Sequence, residues 1–133
     1  MFLDGVNTHL EIDPALVGRP VELSEGKAVA SLETRGRMAA DDLGLVHGGF
    51  VFGLADYAAM LAVNDPLVVL GAAETKFLAP VKVGDAVIAT AEVVKDEGKK
   101  RTVQVSCAVG DTEVLTGTFT CFVLDEHVLA SRA

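Results

Sequence analysis

Asp56 is the one charged residue in an apolar run of nineteen, residues 45–63, which opens Leu45-Val46-His47-Gly48-Gly49. An ionised carboxylate inside an apolar helix is costly unless it is paired or has chemical work to do. The start of such a helix offers backbone N–H groups without intrahelical acceptors and the positive end of the helix dipole. Glycine at 48 and 49 lets a ligand come up to that main chain. Two readings of the glycines are open: close packing where the loop enters the helix, or a Gly48 N–H that polarises a carbonyl and holds a developing oxyanion. Three roles are open to Asp56: a general base on water, a nucleophile forming an acyl anhydride, or a structural acid hydrogen-bonded to neighbouring backbone. This pairing suits acyl chemistry.

Helix geometry limits how the two groups cooperate. Eight residues of helix separate Gly48 from Asp56 by about 12 Å, too far for both to engage one carbonyl. The acid and the oxyanion donor must come from different helices, as they would where two copies of the chain meet across a two-fold axis. His47 has three open roles: general base, ligand-orienting donor or simple cap. His9 and His127 stand at no metal-ligand spacing from it, and no metal site is expected. Phe50, Phe52, Leu54, Tyr57 and Phe77 are the candidates to line an acyl pocket, and Gly49 flanks its mouth.

The elements that must carry these residues follow from pattern. Residues 1–16 give mixed signals, with Pro14 breaking any helix begun at Asp13. Residues 21–23 and 28–34 flank Ser24-Glu25-Gly26-Lys27 as a hairpin. A loop over 35–46 leads to the helix, which ends near Asn64-Asp65-Pro66. Four strands are expected over 67–80, 86–95, 101–109 and 113–124, the third with clean alternation. The order is hairpin, long helix, then a meander. That is an α+β domain with one antiparallel sheet around one helix, a single domain over 1–133. A helix apolar all round needs a strongly curled sheet or a second subunit to cover it.

The chain has 133 residues, half of them hydrophobic, enough for a buried core. Its net charge of −8 argues against nucleic-acid binding. Lys76, Lys82, Lys99, Lys100 and Arg101 are the local sources of positive charge for an anionic ligand. Cys107 and Cys121 sit in strand-like runs and read as buried free thiols. The start, Met1-Phe2-Leu3-Asp4-Gly5, lacks the features of a signal peptide. Asp56 near its centre makes the apolar run a poor membrane span. A cytoplasmic protein without membrane contact is expected.

His47-Gly48-Gly49 followed by Leu54-Ala55-Asp56 resembles the signature of the hotdog-fold acyl-CoA thioesterases, particularly the phenylacetyl-CoA thioesterase-like branch. Residues 75–85, Thr-Lys-Phe-Leu-Ala-Pro-Val-Lys-Val-Gly-Asp, form a second matching block in the right order. The resemblance spans about residues 17–124. It implies a hotdog fold, a homodimer or homotetramer with sites shared between subunits, and hydrolysis of an acyl-coenzyme A or other acyl thioester without a cofactor. It also implies that the Gly48 amide is the oxyanion donor. Asp41 stands where related thioesterases commonly carry an asparagine that places water or thioester; a carboxylate can accept but not donate there. The serine or threonine expected after the helix is replaced by Leu70-Gly71-Ala72-Ala73, leaving Glu74 and Thr75 as the nearest polar candidates. A hotdog hydratase with His47 as base is an alternative, although its characteristic motif is absent. The same motifs resemble the effector-binding domain of a fatty-acid-synthesis repressor, which binds malonyl thioesters. With no segment expected to form a helix-turn-helix, a silent acyl-CoA sensor is the non-enzymatic alternative.

Overall fold

The helix starts three residues inside the apolar run. In the computed structural model, which describes residues 3–132, α1 spans Gly48–Val63. Leu45 and Val46 are extended instead, in isolated antiparallel bridges to Lys82 and Ala39. The N–H groups of Val46 and His47 donate to the Val81 and Met38 carbonyls at 2.8 and 2.9 Å, which ties the approach to the helix into the rest of the chain. At the far end Asn64 turns left-handed, φ 55°, and its N–H closes on the Met60 carbonyl. Pro66, two residues on, suits a stop.

β1 (Arg19–Ser24) and β2 (Lys27–Glu33) make the expected hairpin. Its two-residue turn needs a positive φ, which Gly26 supplies at 73°. β3 (Val68–Phe77), β4 (Ala86–Glu97), β5 (Lys100–Val109) and β6 (Thr112–Val123) follow as the four expected strands. They do not form a simple meander. The sheet order is β1-β2-β4-β5-β6-β3, all antiparallel, so β4 pairs with β2 while β3 crosses to the far edge and pairs with β6. The two burial patterns explain the swap. β4 buries Val87, Ala89 and Ala91 completely, as suits a central strand. β3 exposes Gly71 through Glu74 and tolerates an edge.

One face of the sheet packs on α1, in the hotdog arrangement. Alanines at 28, 30, 89 and 91 on β2 and β4 meet Ala55, Ala58, Ala59 and Ala62 in the same buried core, where small side chains permit close helix–sheet approach. Leu54 is fully buried there, and truncating it to alanine should cost about 2–5 kcal/mol. The helix is not enclosed by its own chain: Gly49, Phe52, Gly53, Asp56 and Val63 all retain solvent contact on one stripe. Both cysteines are buried free thiols. Among the described residues no helix is long and apolar enough to cross a membrane. Met1 and Phe2, from the segment judged unlike a signal peptide, lie outside the described residues.

Thr34, buried at the end of β2, fixes the loop that carries the second sequence block. Its hydroxyl donates to the Asp85 carbonyl at 2.7 Å and accepts from the Gly84 N–H at 3.0 Å. Asp85 Oδ2 in turn accepts from the Lys82 N–H at 2.8 Å, and Gly84 takes φ 99°. The Gly-Asp pair is therefore a turn-former. It holds residues 78–83 beside the start of α1.

Candidate active site

His47 occupies the N-cap in extended geometry but its side chain makes no capping hydrogen bond. The N–H groups of Gly48 and Gly49 meet no acceptor among the described residues, leaving donors at the positive end of the helix. A side chain at either position would make an exposed neighbour shift. A Cβ at 48 would lie 3.2 Å from the Phe77 ring, and one at 49 would lie 3.1 Å from the His47 imidazole. His47 itself is exposed, its ring edge-on to Phe50 at 6.3 Å.

Beside Gly48 opens a cleft of about 380 Å³, lined by Leu45, Val51, Phe77, Leu78, Val81 and Val114 among others, all apolar. Of the residues singled out by sequence, only Gly48 and Phe77 line it. Leu45, Leu78, Val81 and Val114 were missed. Val81 and Leu78 lie within the second motif block, the one signal that pointed to them. Leu54 and Tyr57 are core residues. Leu54 packs towards Gly18, and Tyr57 lies with its ring 6.4 Å from that of His9. Glu74 and Thr75 border a separate polar depression with Lys76, Gln104 and Thr118. Phe52 packs on Phe119 at 5.6 Å between ring centres.

Asp56 is half-buried, and its Oδ1 is sealed from solvent without a hydrogen-bond partner among the described residues. Burial raises its pKa from 3.8 to about 6. A carboxylate poised there can take a proton near neutral pH. Cys121 is pushed up to about 12, first by burial and then by the charge of Asp56. Burial alone lifts Cys107 to about 12. Neither thiol is a nucleophile at neutral pH.

Asp41 has a structural engagement. Its Oδ1 accepts from the N–H groups of Leu43 and Leu45 at 3.0 and 3.1 Å, shaping the loop that delivers Leu45 to the cleft. Two of the candidate basic groups are neutralised. Lys99 pairs with Asp125 at 2.6 Å and Arg101 with Asp96 at 3.1 Å. The register also puts these residues at the opposite end of the sheet from Phe77, since Lys100 faces Phe122 whereas Phe77 faces Leu115. Lys82, bridged to Leu45, stays beside the cleft.

The family model described as "Acyl-CoA thioesterase N-terminal domain" matches residues 37–122, which takes in the loop, the helix and all four later strands. The chain belongs to this thioesterase family. An uncharacterized protein, PH1136, from Pyrococcus horikoshii shares 51% identity and superposes with a TM-score of 0.93 over 97% of this chain and 98% of its own. A mutant structure of the phenylacetic acid degradation protein PaaI from Thermus thermophilus shares 32% identity, TM-score 0.76, over 84% and 100% of the two chains. A methylthioribose-1-phosphate isomerase from Aquifex aeolicus (strain VF5) is 54% identical over 121 residues, 90% of this chain but 26% of that protein. Transcription factor FapR from Thermoanaerobacter sp. (strain X514) is 33% identical over 119 residues, 89% of this chain and 60% of its own. The thioesterase-family domain thus spans between about a quarter and three-fifths of these two curated relatives.

Proposed function

We propose that the chain is an acyl-CoA thioesterase, hydrolysing an acyl thioester to the free acid and coenzyme A in a cytoplasmic homodimer or homotetramer. The observation that carries this reading is Asp56, a carboxylate with a desolvated, partnerless oxygen and a pKa of about 6, on the helix whose start presents free N–H groups. In the general-base form Asp56 removes a proton from water as the water oxygen adds to the thioester carbonyl. The Gly48 N–H holds the oxyanion, and collapse of the tetrahedral intermediate expels the coenzyme A thiolate. In the nucleophilic form the Asp56 carboxylate attacks first and water then cleaves the anhydride. His47 and Gly49 flank the donor in the chain, and the His47 ring packs edge-on to Phe50.

A shared site is supported by the same oxygen. Nothing among the described residues satisfies Oδ1, and the stripe around it (Phe52, Gly53, Val63) is open. β3 also leaves a sheet edge free for a second copy. Incubating the protein with a panel of acyl-coenzyme A esters and following released thiol tests the reading. Turnover of at least one ester supports it, and tight binding without thiol release of any ester defeats it. That second outcome is what a non-catalytic acyl-CoA sensor gives. The match to a transcription factor favours the sensor as the second reading, as does an Asp41 already spent on its own loop.

A further inference from the structure

We propose that the turn from Thr8 to Glu11 is an acid-opened flap over α1, closed at neutral pH and released when the His9 ring takes up a proton. Residues 3–18 belong to no helix and no strand, yet they run back along α1 between two fixed ends. At one end Asn64 holds the Gly5 carbonyl and the Asn7 N–H, both at 2.8 Å. At the other, Gly18 takes φ 119°, and a Cβ there would stand 2.7 Å from the Leu54 side chain and 2.9 Å from the Ser31 carbonyl. Between these anchors the His9 ring reaches Tyr57, with 6.4 Å between ring centres. Tyr57 stands about 10 Å back along the helix from Asn64.

Little holds the turn down. Leu10 faces solvent at 70% exposure, and His9 sits at φ 54°, a left-handed angle that strains a residue with a side chain. The His9 Nδ1 lies 2.7 Å from the hydroxyl of Thr8, a buried residue. A neutral imidazole can accept the hydroxyl proton there; an imidazolium donates from both nitrogens and cannot. The Thr8 hydroxyl then keeps its proton with no acceptor among the described residues. One side of the ring is open to solvent and the other lies over Tyr57, and this partial burial holds the His9 pKa below its ordinary 6.5. The titratable group facing it from α1 is Tyr57, which burial raises above 10.0 and which is uncharged in this range. No ion pair engages His9 among the described residues, and Asp13 on its own segment turns to the Ala15 N–H. The closed turn therefore has its full stability above pH 6.5 and loses it as pH falls below that value.

Hydrogen exchange of the full chain, followed by NMR and corrected for the intrinsic rate of an open peptide, tests the flap. The Ile12 amide, which donates to the His9 carbonyl, reports the turn, and the Asn7 amide reports the anchor. From about pH 7.5 to about 5, opening at Ile12 should rise several-fold, under a ceiling of about thirtyfold for a group of pKa about 6.5 that is charged only when open. Opening at Asn7 should stay level. His9→Asn tolerates the left-handed angle and offers Thr8 a carbonyl acceptor at every pH, so it should flatten the response at Ile12. Should that variant not fold, His9→Gly, free to take the same angle, carries the comparison. An Ile12 amide unprotected at pH 7.5, or a change of less than about twofold in the parent, overturns the inference. An equal rise at Asn7 and in α1, or a rise that persists without the imidazole, overturns it as well. Protonation of Asp56 removes a buried charge and steadies the fold, so it cannot imitate the expected rise.

Discussion

The two ends of α1 are finished in opposite ways. At the C-terminal end Asn64 takes the left-handed cap conformation and locks the N-terminal segment in place. Its Nδ2 donates to the Gly5 carbonyl and its Oδ1 accepts from the Asn7 N–H, both at 2.8 Å. At the N-terminal end no described side chain caps the helix, His47 stands where a small polar residue usually caps, and an apolar cleft opens alongside. A serine or aspartate at position 47 would be expected to add about 1 kcal/mol of stability. One end is built to stay shut; the other forgoes that stability and keeps its donors free. Stability forgone at a site in this way is a common companion of function.

The strongest way to break this contrast is through the acid that the open end is proposed to serve. Asp56→Asn should lower kcat by about a hundredfold or more. Stability should move the other way. Because burial raises the Asp56 pKa to about 6, its ionised form destabilises the fold increasingly as pH rises from 3.8 to about 6, and fully above that. The rise corresponds to about 3 kcal/mol, which solvent along the half-exposed side trims to about 1–2. The Asp56→Asn variant should therefore be more stable than the parent in denaturant titrations at pH 7.5, with the advantage gone below pH 3.8. The kcat/KM of the parent should climb with pH through about 6. A fully active Asp56→Asn protein would falsify the assignment.

Next in size is a test of whether the open end of one helix works with the acid of another. Gly48→Pro removes the N–H while fitting the first helical position, and the half-exposed Phe77 ring must shift slightly to admit it. That variant and Asp56→Ala should each be inactive. Unfolded and refolded together, they should recover about a quarter of parental activity, since half the dimers are mixed and each holds one intact site. No recovery from demonstrably mixed dimers would rule out sharing.

Two smaller effects sharpen the comparison. Asn64→Ala at the closed end should cost about 1–2 kcal/mol in a denaturant titration and leave kcat within twofold; a large loss of turnover would show that the closed end also serves the site. His47→Ala at the open end should retain hydrolysis within about tenfold, because the Gly48 amide survives. Abolished activity, with water addition to an enoyl-coenzyme A by the parent, would favour the hydratase alternative.

The reach of sequence reasoning differs between elements for identifiable reasons. The hairpin, the helix and the four later strands are legible because each repeats a local period or is bounded by Gly, Pro and Asp. Hydropathy alone does not mark the helix start, since Leu45 and Val46 are as apolar as the helix they precede. Only their bridges to Lys82 and Ala39 show them to be part of a ladder. Tyr57 groups with the pocket residues in sequence because it follows Asp56, yet one residue is about a 100° turn of the helix and carries it into the core.

By itself the sequence determined the family, the hotdog class and the identity of the two groups proposed to do chemistry, because residue type and helical spacing are local properties. Tertiary structure alone decided the rest. It sent β3 to the far edge, because a strand's own pattern does not name its neighbour. It bound Asp41 into its loop and neutralised Lys99 and Arg101, because pairing depends on what the fold brings near. It assembled the cleft from residues 45, 51, 77–81 and 114, which are distant in the chain and become neighbours only when β3 and β6 pair beside the start of α1.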